Sequence, residues 1–293
     1  IPANTVVMSF KLSIGKTAIT GKDMYCNEAI MAFHDKHVVD ILPEYIYYMF
    51  KYRNWDNGSN KAVMGKTLNK STLSEVEIDI CSIEKQKEIV TVLDKVMESL
   101  SSRKKELALL DELVRGRFVE LFGDPVVNSK GWEMVELGEL TGIGSSKRIF
   151  EKEYVSDGIP FYRTKEIVEL SKGNTISTEL FITEERYAEI KEKYGVPKTG
   201  DLLISAVGTI GIIWIVDGEN EFYFKDGNLI RVDGSEKFNS VYLKNLLECL
   251  IDEYKKRMSV GTAYAALTIS GLAKMKVYNA PIELQNQFAD FAH

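Results

Sequence analysis

The stretch IEKQKEIVTVLDKVMESLSSRKKELALLDELVRGRFVELF, residues 83–122, sets the reading of the whole chain. Within it, Ile89, Leu93, Val96, Leu100, Leu107, Leu110, Val114 and Leu121 alternate at spacings of four and three, with Arg103 and Arg117 filling two further seam positions. A seam held over this length describes a coiled-coil helix. At ~1.5 Å per residue it spans roughly 60 Å, more than the width of a small domain. That length favours a coiled coil over a helix laid along one side of a domain. Gly123-Asp124-Pro125 stops it, since glycine tolerates the left-handed cap and proline does not continue a helix. A lone helix leaves its seam bare, so a partner is required; a second helix opens at Ile282.

The segments on either side of this helix repeat each other. Leu68-Asn69-Lys70-Ser71-Thr72-Leu73 aligns with Leu267-Thr268-Ile269-Ser270-Gly271-Leu272, and the register holds without a gap to Ile83-Glu84-Lys85-Gln86 and Ile282-Glu283-Leu284-Gln285, an offset of 199. Upstream, Thr5-Val6-Val7-Met8-Ser9 matches Asp201-Leu202-Leu203-Ile204-Ser205, and Ile14-Gly15 matches Ile210-Gly211, at offset 196. A weaker match, Tyr45-Ile46 with Tyr242-Leu243, lies between them at offset 197. A period near 200 is too long for a solenoid and describes a duplicated domain. Two similar modules separated by a rod fit a protein that reads two similar things at a fixed distance.

Composition sets the outer bounds. The chain has 293 residues, 45% apolar and 27% charged, ordinary values for a globular protein with room for sizeable cores. No run approaches the ~18–20 apolar residues of a membrane span, and the N-terminus carries no signal pattern; a cytoplasmic location is expected. Cys26, Cys81 and Cys249 have no metal or disulfide spacing and are expected to be reduced thiols. The net charge of −6 speaks against indiscriminate coating of nucleic acid. The charge is uneven, however: residues 1–82 carry 9 basic and 9 acidic residues and 83–122 carry 8 and 8, so the whole deficit lies in 123–293. Lys51, Arg53, Lys61, Lys66 and Lys70 stand against Asp56 alone in 51–70, and Lys255, Lys256 and Arg257 occupy the equivalent place in the second copy.

Along the first copy, Thr5–Phe10 and Ala29–Phe33 read as strands, Pro43–Tyr52 as a helix with an early proline, 54–66 as a polar loop, Leu68–Leu73 as a helical turn and Val76–Ile80 as a strand. In the second, Gly158–Arg163 reads as a turn into a strand, Ile182–Tyr194 as a charged helix, Leu202–Ser205 and Ile210–Val216 as strands, Val241–Met258 as a helix, and Gly261–Ala266 as the loop matching 54–66. The chain opens inside the repeat unit, so the expected division is 1–81 as the C-terminal part of a first domain, 82–123 as the central helix, 124–281 as a second domain and 282–293 as the start of a second long helix.

Catalytic motifs are not evident. Gly208-Thr209-Ile210-Gly211 and Ser13-Ile14-Gly15-Lys16 are not phosphate loops, there is no Gly-x-Ser-x-Gly elbow, and no Asn/Asp-Pro-Pro-aromatic methyltransferase motif is seen. His34 and His37 are the only close histidine pair, and a metal site is not expected. Nucleic-acid recognition fits better, because it asks for Lys and Arg toward phosphate and for polar or aromatic side chains toward bases. Candidates in the second copy are Lys147, Arg148, Tyr162, Arg163, Thr164, Lys165, Ser205, Lys225, Asn228, Lys256, Arg257 and Tyr264. In the first they are Lys11, Lys16, Lys22, Asn27, Arg53, Asn60, Lys61 and Lys66, with Ser9 beside them. Arg163 and Lys165 alternate with Tyr162 and Thr164 on the expected strand, so one face presents one pair only.

These pieces together resemble a known family. Leu121–Pro125, Lys130-Gly131-Trp132-Glu133 and Leu137-Gly138-Glu139-Leu140 resemble the junction of central helix and second recognition domain in specificity (S) subunits of type I restriction-modification systems. Gly158–Arg163, Gly200–Ser205 with Gly208–Gly211, and Leu267-x-x-Ser270-x-Leu272 followed by Pro281-Ile282-x-x-Gln285 resemble that family's recognition domain. Each motif alone is weak; their order and spacing over nearly the whole chain carry the resemblance. It implies an α+β protein with two target recognition domains built on mixed sheets, separated by long helices forming an antiparallel coiled coil. It also implies a non-catalytic subunit that reads a split double-stranded DNA target and docks two methyltransferase subunits, which use S-adenosylmethionine, and restriction subunits, which use ATP and Mg. No cofactor is expected in this chain. Two departures stand out: the first domain lacks its N-terminal half, and the second helix is cut at His293. The chain is either a portion of a longer protein or a shortened subunit that pairs with another copy; unpaired strand edges in a half-domain favour the first. The other readings are a duplicated RNA- or protein-binding module, discriminated by whether a methyltransferase co-purifies, and, third, an enzyme whose motifs lie elsewhere.

Overall fold

The computed structural model describes residues 1–11, 13–55, 70–258 and 266–292. The chain forms two compact units, Ile1–Ala108 and Leu109–His293, and is α+β. In the first unit β1 (Val6–Ser9) is the centre of an antiparallel sheet between β2 (Thr17–Ile19) and β3 (Ile30–Phe33), with Val6 opposite both Ile19 and Phe33. α1 (Pro43–Tyr52) lays Phe50 against Val6 and Met8. Its other side, Tyr45 and Tyr48, packs on Val90, Ile89 and Leu93 of the long helix. α2 (Lys70–Ser74) follows. Val76–Ile80 forms no strand, contrary to expectation. The equivalent segment of the second unit is a strand only because it pairs with Met134–Glu136, and the described first unit holds no counterpart of that partner.

α3 is the expected helix, Ile83–Phe122. Its end shows how the motif Leu121–Trp132 works. Gly123 takes the left-handed cap at φ 81° and its N–H reaches Val119 O at 2.8 Å. The last carbonyls of a helix lack intrahelical donors; here Lys130 Nζ donates to Glu120 O and Leu121 O at 2.7 and 2.8 Å, and Trp132 Nε1 to Phe122 O at 2.8 Å.

The second unit continues with β4 (Met134–Glu136), α4 (Leu137–Leu140), β5 (Ile143–Gly144), β6 (Ile159–Tyr162), α5 (Thr164–Leu170), β7 (Phe181–Ile182), α6 (Glu184–Lys193), β8 (Leu202–Ser205), β9 (Ile213–Ile215), β10 (Tyr223–Phe224), β11 (Leu229–Val232), α7 (Ser240–Met258), α8 (Ile269–Ala273), β12 (Lys276–Tyr278) and α9 (Ile282–Ala292). β5-β11-β8-β9 make an antiparallel sheet, β10-β6-β7 a mixed one, and β12-β4 a ribbon. Strand residues alternate between faces, and β8 uses both. Leu202 and Ile204, with Ile213, Ile230 and Val232, face a core holding Phe118, Phe122, Tyr242 and Phe288. Leu203, Trp214 and Leu229 face a second core with Phe161, Ile167, Tyr187 and Phe224. The expected helix at Ile182 begins two residues later, because Phe181–Ile182 pairs with Ile159–Pro160 first.

α9 lies antiparallel to the last turns of α3. Leu284 shares a hollow with Leu121, Phe288 packs edge-on to Phe118 at 5.2 Å, the Phe291 ring sits 5.7 Å from the Arg117 guanidinium, and Ala292 shares a second hollow with Val114. The seam is thus covered at both ends of α3. Between them Val96, Leu100, Leu107 and Leu110 are exposed, at 48, 50, 62 and 51%.

Candidate nucleic-acid interface

The duplication extends to single hydrogen bonds. In the hairpin β1–β2, Ser9 N donates to Lys16 O at 2.9 Å, Gly15 N to Ser9 O at 3.0 Å, and Ser9 Oγ to Ser13 O. In β8–β9, Ser205 N donates to Ile212 O at 2.9 Å, Gly211 N to Ser205 O at 2.8 Å, and Ser205 Oγ to Thr209 O. Gly15 and Gly211 both have positive φ, 83 and 85°. Each glycine is crowded from the same side: an added Cβ would stand 2.5 Å from the ring of Trp55, three residues past α1, in the first unit and 2.6 Å from Ile251 of α7 in the second. Each unit therefore builds the same corner, a tight hairpin turn beside the C-terminal end of a helix, and each corner is basic.

In the first corner Arg53 lies over Trp55 at 5.6 Å and donates to Glu77 O at 3.1 Å. Lys11 lies over Phe10 at 5.6 Å, and Lys16 is exposed on the hairpin. Lys22 and Asn27 are exposed farther along the sheet, the Asn27 side chain accepting from Ala29 N at 3.0 Å. In the second corner Lys255 Nζ donates to Ile210 O at 3.3 Å and pairs with Asp252 at 2.6 Å. Arg257 and Lys256 pair with Glu253 at 3.2 and 3.7 Å. Asn228 O accepts from Ala206 N at 2.8 Å, which ties the β10–β11 turn to the same hairpin. In the sequence Lys255 is only part of a basic run; its place over the turn comes from β9 and α7 meeting. Asn60, Lys61, Lys66 and Tyr264 lie outside the described residues.

A second group forms where the segment after β5 meets the β10–β11 turn. Lys147 N donates to Tyr223 Oη at 2.6 Å and its Nζ lies 5.3 Å from the Tyr194 ring. Arg148 pairs with Asp226 at 2.7 Å. Lys225 N donates to Tyr162 O at 2.9 Å. The exposed ion pairs in both groups are held weakly, by ~0–1 kcal/mol, so a phosphate competes for their cations at small cost.

Five candidates sit otherwise than expected. Strand β6 ends at Tyr162, so Arg163, Thr164 and Lys165 do not alternate on a strand; Arg163 caps α5, and Lys165 is exposed on its first turn. The Arg163 guanidinium is committed to Glu166, at 2.9 and 3.3 Å, and Arg163 N donates to the same carboxylate at 2.9 Å. Burial pushes the Glu166 carboxyl up, but the Arg163 guanidinium and backbone N–H groups outweigh it and hold the group below its ordinary value. Thr164 Oγ1 is buried. Tyr162, 6% exposed, stacks on Phe222 at 4.6 Å, and Ser205 is fully buried in its hairpin. Both are packing residues here, because the faces they occupy look into the unit. Among the described residues no group of three His, Cys, Asp or Glu is placed to hold a metal, and no helix is long and apolar enough to cross a membrane.

A family model described as type I restriction modification DNA specificity domain matches residues 1–111 and 129–293. A putative type I restriction enzyme specificity subunit from Haemophilus influenzae is 32% identical over 226 residues, 75% of this chain and 56% of that protein. The type I restriction enzyme MjaIX specificity subunit from Methanocaldococcus jannaschii is 29% identical over 212 residues, 66% of this chain and 48% of the relative. The chain thus spans about half the length of the curated relatives it matches. Among solved structures, a type I restriction-modification S subunit from M. genitalium shares the fold, with a TM-score of 0.57 at 17% identity, over 99% of this chain and 75% of that one.

Proposed function

Because this chain belongs to the type I restriction-modification DNA specificity family, we propose that it is the non-catalytic, sequence-reading part of such a complex. Residues 1–81 and 124–281 act as two recognition modules, and 82–123 and 282–293 belong to the helices that space them. Each module lays its basic corner on double-stranded DNA and reads one half of a split target. Lys11, Lys16, Arg53, Lys61 and Lys66 in one module, and Lys147, Arg148, Lys165, Lys225, Lys255, Lys256 and Arg257 in the other, supply phosphate contacts and salt-dependent affinity. Asn27, Asn60, Asn228 and Tyr264 are proposed for base contacts, where a bidentate pair discriminates by ~1–3 kcal/mol. Two methyltransferase subunits carrying S-adenosylmethionine, and restriction subunits using ATP and Mg, supply the chemistry.

The observation that carries this reading is the duplication of the hairpin corner bond by bond, with Lys16 and Arg53 beside one copy and Lys255 beside the other. One module suffices for a contiguous site; two copies joined through a 40-residue helix suit a split one. The test is a methylome. The full-length protein is co-expressed with its neighbouring methyltransferase subunit and N6-methyladenine is mapped by long-read sequencing. A split motif with a fixed gap is expected, and exchanging residues 132–281 for those of a relative changes one half only. A stable complex without new methylation, or no complex at all, counts against it, and the latter favours an RNA- or protein-binding module.

A further inference from the structure

Gln86 and Gln285 are both fully buried and make the same three bonds in the two units. Gln86 Oε1 accepts from Leu42 N at 2.9 Å, and its Nε2 donates to Asp40 O at 3.0 Å and Cys81 O at 2.9 Å. Gln285 Oε1 accepts from Asn239 N at 2.9 Å, and its Nε2 donates to Lys237 O at 3.1 Å and Ala280 O at 2.7 Å. Leu42 is the residue before α1 and Asn239 the residue before α7; Asp40 and Lys237 each precede them by two; Cys81 and Ala280 each precede the glutamine by five. One side chain thus ties the first turn of a departing helix to the entry of the helix that packs on the sheet. The partners admit only a primary amide of this length. Glutamate has no donor for the two carbonyls, and asparagine is a methylene short.

We propose that Gln86 and Gln285 are positioning residues that fix the direction in which α3 and α9 leave their modules, and that Gln86 thereby sets the number of unread base pairs; the second clause rests on the function proposed above. The physical argument is leverage. A tilt of about 5° at the base of a rod ~60 Å long moves its far end about 5 Å, or between one and two base-pair steps at ~3.4 Å each. Apolar contacts of α1 with Val90 and Leu93 resist separation but slide; a buried, three-bonded amide is directional and does not.

Two measurements test this on the full-length protein, using Gln86→Met, which keeps the side-chain length and loses every bond, and Val90→Ala, which loosens the same contact without touching the amide. First, with the native cysteines replaced by alanine, spin labels are placed at Lys22 and Leu107, both exposed in the first unit. The distance distribution is expected to widen at least twofold in Gln86→Met and to stay at the parent width in Val90→Ala. An unchanged width in Gln86→Met, or equal widening in both, overturns the proposal. Second, the methylome of Gln86→Met is expected to keep both half-sites and to spread over gaps one base pair longer and shorter, each at least tenfold above parent level. A single unchanged gap, with methylation merely reduced as in Val90→Ala, overturns the spacing role. If the parent protein gives no split motif while the label distribution widens, the functional reading falls and the helix-directing role stands.

Discussion

At the scale of single residues, the hairpin glycines give a sharp contrast. Gly208 and Gly211 both have positive φ, 75 and 85°, but only Gly211 faces a neighbour, Ile251, where a Cβ would stand at 2.6 Å. Gly208→Ala meets open space and is expected to lose about 1 kcal/mol from backbone strain alone. Gly211→Ala adds a clash to the strain and is expected to lose about 2–4 kcal/mol; urea unfolding of the two variants measures the difference. Glu166 gives a pH dependence. Its folded carboxyl lies below the ordinary value of 4.5, so its stabilising contribution is present above that value and is lost as pH falls through the folded one. Glu166→Gln should lower the melting temperature at about pH 7 and by progressively less as the pH is taken below the ordinary value of 4.5; a decrement that does not change with pH would remove the ion pair from the account. Neither Tyr162 nor Ser205 was recognisable as interior from the sequence, because a tyrosine or serine beside basic residues has the same composition whichever way its strand faces.

At the scale of elements, α3 is one helix with three environments. Its first turns pack on α1 through Ile89, Val90 and Leu93, its last turns carry Phe118 and Phe122 into the aromatic core, and its middle is bare. Phe118 is 2% exposed and meets the Phe122, Tyr242 and Phe288 rings within 5.6 Å. Phe118→Ala should therefore cost about 3–5 kcal/mol. Leu107→Gln, at a seam position 62% exposed, should change the unfolding free energy of the isolated chain by no more than ~0.5 kcal/mol. A large loss from Leu107→Gln would mean that the seam is already covered in solution. The seam was fully legible in the sequence, since a heptad pattern is local. Which seam residues are covered was not, since that depends on how far α9 and α1 reach along the helix.

At the scale of the whole molecule, the rod is the quantity to perturb. Inserting four residues after Arg103, in the exposed middle of α3, adds one helical turn of ~6 Å and should lengthen the unread gap by about two base pairs at ~3.4 Å each. The change would be read in the methylome of the variant. An unchanged gap would sink the idea that the helix measures the spacer, while leaving the two modules as readers. The duplication itself was legible: Ser9 with Ser205, Gly15 with Gly211 and Gln86 with Gln285 aligned by sequence alone and are structurally equivalent.

The sequence by itself determined what local pattern encodes: the α+β class, the length and end of α3, the repeat, and the basic runs in corresponding places. Tertiary structure decided which face of each strand is interior, that β8 feeds two cores through alternate residues, that Val76–Ile80 forms no strand, and which carbonyls Gln86 and Gln285 hold. The reason is separation along the chain. Gln86 meets residues 44 and 46 positions away, and Ser145 meets Leu229 at 84. A period of 3.5 or 2 in a window of residues says nothing about such partners. They are set when sheets and helices close on one another and every buried polar group finds the donor or acceptor within reach.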